Sequence, residues 1–227
     1  MSATDSADNI EGKPEYNGPM EPPVFFLARR NGKVLGTCFA VGENLLATAA
    51  HVLGGSDEDL VVGVSTGLTR RTYQRLDQPF NVVGARSVNI DPYRDLAILE
   101  AKDLSVATPH TLGSSDDVLP SDGIATWGFP HAGDDRVVLT VQRSHVGARY
   151  VRGTGEDETK FMVVNLVLRD GQSGSPVTSE NGTVVGVLNG SYRNPNGAGV
   201  FIDNMDALAL HQTGIAVSAE YLQEMLL

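Results

Sequence analysis

The chain has a single cysteine, Cys38, in 227 residues. No internal disulfide is available, so the fold rests on packing alone, and a cystine-stapled secreted domain is excluded. A lone thiol suits a cytoplasmic setting; a secreted bacterial protein without disulfides is the alternative. Long apolar runs are missing too, and none approaches the ~18 residues of a membrane-spanning helix. Positive charge is scarce: 17 Lys and Arg stand against 28 Asp and Glu, for a net charge of −11. That balance argues against nucleic acid or an anionic membrane as partner. There is no His-x-x-x-His, no Cys-x-x-Cys and no patterned Asp loop, so neither a metal nor a cofactor is expected. "GSSDD" and "AGDDR" read as solvated turns. The opening "MSATDSADNIEGKPEYNGPMEPP" has no basic start and no apolar core. It is not a signal peptide, and residues 1–22 read as a disordered acidic lead.

What is present is a series of short apolar, β-branched runs divided by turn residues. "VFFLAR" from Val24 is followed by Asn31-Gly32, then "KVLGTCFAV" and "LLATAA". "LVVGV", "FNVVGARSV", "LAILE", "GIATWGF", "RVVLTVQRSHVGARYV", "FMVVNLVL", "SPVTS", "TVVGVLNG" and "AGVFI" continue the series, with a second Asn-Gly at Asn181-Gly182. Asn-Gly between such runs is the strongest short hairpin signal. A helical period occurs only in the closing "SAEYLQEMLL", where Ser218 would cap a helix with Leu222, Met225 and Leu226 on one face. About a dozen short strands and one closing helix describe an all-β sandwich or a pair of barrels. A softer break near Thr111–Gly123 divides the strands into two groups.

"RDGQSGSPV" sets Ser173 between glycines, in a setting that suits either a nucleophile or a tight turn. A serine hydroxyl becomes a nucleophile only beside a neutral imidazole whose other nitrogen is held. Of the histidines 51, 110, 131, 145 and 211, His51 stands out: it ends the strand-like "LLATAAH" among small residues that let a partner approach. "DPYRDLAILE" offers two acids. Asp91 precedes proline and reads as a turn residue, whereas Asp95 sits at the mouth of an apolar strand, where a carboxylate can be desolvated and aimed.

"TAAH", "DLAIL" and "GQSGSPV", in the order His, Asp, Ser, resemble the trypsin-like serine peptidases, and "TVVGVLNGSYRNPNGAGVFID" resembles the segment after the nucleophile in that family. The resemblance implies two six-stranded antiparallel β-barrels packed face to face, with a C-terminal helix. The peptidase domain would occupy residues 23–227, with the first barrel at about 23–112 and the second, with the helix, at about 120–227. It implies Ser173 as nucleophile, His51 as general base and Asp95 as orienting acid. The backbone N–H groups of Gly171 and Ser173 would form the oxyanion hole. The substrate would be a protein or peptide, and a further domain or regulatory partner beyond Leu227 is compatible with the helix running to the chain's end.

Departures from the family pattern are informative. Val52 follows the histidine where many secreted relatives have a cysteine. Gln172 precedes the serine where digestive members have the aspartate that receives a new N-terminus, so that activation switch is absent. Ser175 replaces the usual second glycine, and "SGSPV" resembles the glutamyl-endopeptidase and bacterial or intracellular branches. The position that reads an acidic side chain in the glutamyl enzymes is Leu188. The first specificity pocket would have Val167 at its base and Leu188, Asn189, Gly190, Ser191 and Gly199 around it, which favours a small or medium apolar residue over Lys, Arg or Glu.

Two other readings bring in further residues. An α/β-hydrolase would use Ser173, then Asp203 or Asp206, then His211, but its Gly-x-Ser-x-Gly elbow would need glycine where Ser175 stands. A protease-fold binding module without catalysis is the second.

Overall fold

The computed structural model describes residues 21–64, 73–76, 80–108, 110–130, 132, 136–191, 201–202, 205–206 and 213–227. The acidic lead up to residue 20 lies outside them, as do His131, Gly199, Asp203, His211 and the side chains of Ser191 and Asp206.

Seven strands make the first sheet: β1 (Val24–Arg29), β2 (Val34–Ala40), β3 (Leu45–Ala49), β4 (Leu60–Val64), β5 (Asn81–Gly84), β6 (Arg86–Asp91) and β7 (Leu96–Glu100). They are ordered β5-β4-β1-β2-β3-β7-β6 and pair antiparallel throughout. The expected six-stranded barrel is therefore a curled seven-stranded sheet. Its two edge strands are consecutive in the chain, divided only by Ala85, whose N–H turns to the Leu60 carbonyl at 3.0 Å.

The second unit is a closed six-stranded barrel. Its strands are β8 (Gly123–Gly128), β9 (Thr140–Arg152), β10 (Thr159–Val164), β11 (Pro176–Ser179), β12 (Val184–Ser191) and, after the short ladder of β13 (Phe201–Ile202) and β14 (Met205–Asp206), β15 (Gly214–Ser218). The order is β10-β15-β12-β11-β8-β9. Helix α1 (Glu220–Met225) follows. Among the described residues no helix is long and apolar enough to cross a membrane.

The two Asn-Gly turns are built alike. Oδ1 of Asn31 accepts from the Lys33 N–H at 3.0 Å, and that of Asn181 accepts from Thr183 at 3.1 Å. Each asparagine thus closes its hairpin with its own side chain. The apolar runs lack clean alternation because both faces of a strand are covered. In β7, Leu96 and Ile98 face the seam between the two units, while Ala97 and Leu99 fill the first unit. In β12, Val184 and Val187 face the seam, while Val185 and Leu188 fill the second. Phe26, Phe39, Trp127, Phe129 and Tyr221 complete the seam.

Two local expectations fail. Ser218 does not cap the helix: it is the buried last residue of β15, and its Oγ accepts from the Ser115 N–H at 2.8 Å. Strand β10 stops at Val164, where the Leu166 N–H turns back to the Val164 carbonyl at 2.9 Å, so Val167 is not in a strand.

Candidate active site

The register of β3 against β7 pairs Ala49 with Leu96, the last residue of one strand with the first of the other. His51 lies two residues beyond β3, in a 3₁₀ turn over Ala50–Leu53, and Asp95 lies one residue before β7. The ladder thus delivers both to the same end of the sheet. The Ala50 N–H donates to the Asp95 carbonyl at 3.0 Å and the His51 N–H to Asp95 Oδ1 at 2.7 Å. His51 Nδ1 lies 2.7 Å from Asp95 Oδ2. A carboxylate only accepts, so Nδ1 carries the hydrogen and Nε2 of the neutral ring is left as acceptor. Asp95 holds this pose with a left-handed backbone, φ 57°. That conformation is uncommon outside glycine, and Asp is among the residues that tolerate it.

Asp91 makes a different structure. Its Oδ1 accepts from the N–H groups of Tyr93 and Arg94, both at 3.0 Å, so it closes its own turn. Of the other described histidines, His145 is exposed on β9 and His110 is buried beside Phe39.

The second barrel brings Ser173 to the same place. The Ser173 carbonyl accepts from the Thr37 N–H on β2 at 2.9 Å. Two glycines shape this turn, Gly174 against β2 and Gly171 against the end of β8. Gly174 has φ +85°, and a Cβ there would stand 2.1 Å from the Thr37 carbonyl oxygen. Gly171 has φ +95°, and its Cβ would stand 2.3 Å from the Phe129 carbonyl oxygen. The turn is cross-braced: Gln172 N–H donates to the Arg169 carbonyl at 3.2 Å, and Arg169 N–H donates to Gln172 Oε1 at 2.8 Å. The buried Gln172 amide also donates to Gln142 on β9, and Thr37 Oγ1 donates to the Gly171 carbonyl at 2.7 Å. The N–H groups of Gly171 and Ser173 donate to no acceptor among the described residues. The Ser173 hydroxyl donates to the Asn189 carbonyl at 3.3 Å, and no hydrogen bond joins it to His51.

Asn189, read from sequence as a pocket wall, has another position. The pairing of β12 with β15 steps from Leu188–Ala216 to Gly190–Ile215, which leaves Asn189 as the extra residue of a bulge. Bulges re-aim side chains. This one points the Asn189 amide at Asp95 Oδ2, 3.1 Å away, while its Oδ1 accepts from the Val217 N–H at 3.3 Å. Leu188 cannot line a pocket with its side chain, which is fully buried in the second barrel. Its carbonyl instead accepts from the Gly174 N–H at 2.7 Å. Val167 is half-exposed, Gly190 faces open space, and Ser191 ends β12. Sequence reading also passed over a cavity of about 400 Å³ beside His51, lined by Ala50, Leu53, Ile90 and Pro92, with Ser87 and Asp57 among its polar residues. The Ser87 N–H and hydroxyl both bind Asp57 and hold its carboxyl below the usual range.

The chain matches the family model of the trypsin-like peptidase domain over residues 36–187. It is 28% identical over 194 residues to the magnetosome formation protease MamE of Paramagnetospirillum magneticum, covering 84% of this chain and 23% of that protein. It is 28% identical over 166 residues to a probable periplasmic serine endoprotease, DegP-like, of a Marinomonas species, covering 72% of this chain and 31% of that one. The chain thus spans between about a fifth and a third of the length of these curated relatives. Among solved structures, the MamO protease domain of Magnetospirillum magneticum superposes with a TM-score of 0.65 at 18% identity, over 89% of this chain and 95% of that one, which is a likeness of fold. The DegP-like relative is named as periplasmic, and nothing in these likenesses supports the cytoplasmic setting expected from the lone cysteine. Cys38 is fully buried in the core of the first unit and, as the single cysteine, has no internal partner. The solved protease domain shows the fold alone, and by its sequence the chain belongs to the trypsin-like peptidase family.

Proposed function

We propose that the chain is a serine endopeptidase acting on protein or peptide substrates, with Ser173, His51 and Asp95 as its triad. The observation that carries this reading is the double hold of Asp95 on His51, through both the main-chain N–H and Nδ1. It presents Nε2 as the acceptor. Rotation of the Ser173 hydroxyl from the Asn189 carbonyl toward Nε2 starts the reaction. His51 takes the proton as Oγ attacks the scissile carbonyl, then gives it to the leaving amine, and water repeats the cycle on the acyl-enzyme. Asp95 steadies the imidazolium formed between the two transfers. The N–H groups of Gly171 and Ser173 receive the oxyanion, where each such donor is worth about a hundredfold to a thousandfold in kcat.

A preference for a small or medium apolar side chain is supported by Val167 and by the open space at Gly190. The core position of Leu188 leaves no group there to read an acidic side chain. The hydrogen bond from Ser173 to Asn189 favours one second reading, a protease-fold module that binds peptides without cleaving them. Cleavage of a peptide library by the purified chain, with Ser173→Ala as control, tests both. The endopeptidase reading expects turnover that falls about a millionfold in the variant. Equal and negligible cleavage by the two, with no fluorophosphonate labelling of Ser173, would overturn the endopeptidase reading, and retained binding of library peptides would then support the binding module.

A further inference from the structure

Arg94 is the residue before Asp95, and its side chain joins both units of the fold. Its guanidinium lies 4.2 Å over the ring of Tyr221 on α1. Nη1 donates to Asp91 Oδ2 at 3.0 Å, at the end of β6, and stands 3.6 Å from Glu224 Oε2 on α1. The Arg94 carbonyl accepts from the Asn189 amide at 3.4 Å. The helix has a second tie to the first sheet, from Asn89 Nδ2 to the Met225 carbonyl at 3.0 Å. Glu224 is mostly in water, so the stacked ring and the more sheltered Asp91 carry the hold.

The next residue is the one with the left-handed backbone. Asp95 keeps Oδ1 on the His51 N–H and Oδ2 on Nδ1 only while its φ stays near 57°. A left-handed aspartate has a shallow well of its own, and relaxation of the Arg94–Asp95 peptide toward the extended region would swing the carboxylate off both atoms. We propose that Arg94 is a positioning residue, which uses the Tyr221 ring of the C-terminal helix and the Asp91 carboxylate to hold Asp95 in the pose that orients His51. The second unit would thereby set the acid of the first by two routes, through the Asn189 amide and through α1. The inference rests on the reading of Asp95 as the orienting acid, although the Asp95–His51 geometry itself does not depend on catalysis.

The test uses the full chain with Arg94→Met, Tyr221→Leu and Tyr221→Phe. Nitrogen NMR of the His51 ring, assigned with His51→Gln, reports which ring nitrogen carries the hydrogen. Turnover and KM on a cleaved peptide are measured alongside. Arg94→Met and Tyr221→Leu are expected to shift the His51 ring from the Nδ1–H tautomer to a mixture. They should lower kcat by about tenfold to a hundredfold with KM nearly unchanged. Tyr221→Phe, which restores the ring, should restore both. An undisturbed Nδ1–H tautomer in a folded Arg94→Met or Tyr221→Leu chain would overturn the proposal. So would a Tyr221→Phe chain as impaired as Tyr221→Leu, since the effect would then lie in the hydroxyl and its bond to the Lys160 N–H. If Arg94→Met does not fold, Tyr221→Leu decides by the same two outcomes. If the wild-type chain cleaves nothing, the peptidase reading fails while the tautomer measurement still decides the role of Arg94.

Discussion

Asn189 Nδ2 lies 3.1 Å from Asp95 Oδ2, a hydrogen bond that runs from β12 of the closed barrel to the mouth of β7 in the curled sheet. It satisfies a lone pair of the carboxylate that the imidazole leaves free, and it comes from the residue that the β12–β15 ladder skips between Leu188 and Gly190.

Asn189→Ala should lower kcat by about tenfold, because Asp95 loses a donor without losing its bonds to His51. Asn189→Asp should do worse. It sets a second carboxylate against Asp95, and one of the two must then hold a proton. Steady-state kinetics of the pair check this; equal losses would mean that the lost amide donor, and not the added charge, sets the effect.

The two acids of "DPYRDL" should separate cleanly. Asp95→Asn leaves an amide facing His51 and favours the wrong tautomer, for an expected loss of about ten-thousandfold in kcat. Asp91→Asn keeps the acceptor for the Tyr93 and Arg94 N–H groups and should retain activity within about a hundredfold. Comparing kcat of the two variants on one substrate decides; an inactive Asp91→Asn beside an active Asp95→Asn would reverse the assignment.

Gly171→Ala places a methyl 2.3 Å from the Phe129 carbonyl oxygen on a residue with φ +95°. The turn must shift, and the Gly171 N–H shifts with it. The expected result is a fall of about a hundredfold to a thousandfold in kcat with KM little altered. A KM effect of that size with normal kcat would place this turn in substrate binding rather than in oxyanion stabilisation.

His110 is 8% exposed, and its Nδ1 has no hydrogen-bond partner among the described residues. Burial lowers its pKa from 6.5. The folded chain therefore refuses a proton that the unfolded chain accepts, and stability should decline as pH falls from about 6.5 toward the depressed folded value. Each unit of depression corresponds to about 1.4 kcal/mol. Thermal melts of the wild type and His110→Leu between pH 7.5 and 5 should show a shallower decline in the variant; parallel curves would assign the acid sensitivity elsewhere.

Most of the fold is legible in short apolar runs and Asn-Gly pairs, because each hairpin is a local event. Leu60–Val64 and Leu96–Glu100 are strands over the residues that their runs mark. His51 and Asp95 are legible for a similar reason, since each lies directly at the end of a strand. Strand β15 is not legible. Its five residues carry no turn signal of their own, and its place between β10 and β12 is a matter of long-range pairing. The task of Asn189 depends on a bulge, which exists only once two strands are in register, and the same step puts Leu188 in the core instead of a pocket. The link between Gln172 and Gln142 spans 30 residues and has no motif. Ser218 shows the opposite error: a good capping residue is claimed by the Ser115 N–H before the helix begins.

Cys38 has no solvent exposure, and burial pushes its thiol well above the ordinary value, so the folded molecule offers nothing for an alkylating reagent to attack. Only an opening of the curled sheet uncovers it. The chain therefore carries a built-in clock for one half of the molecule: the rate at which iodoacetamide consumes its single thiol under native conditions counts openings of the unit that holds His51 and Asp95. Openings of the closed barrel alone leave that clock silent.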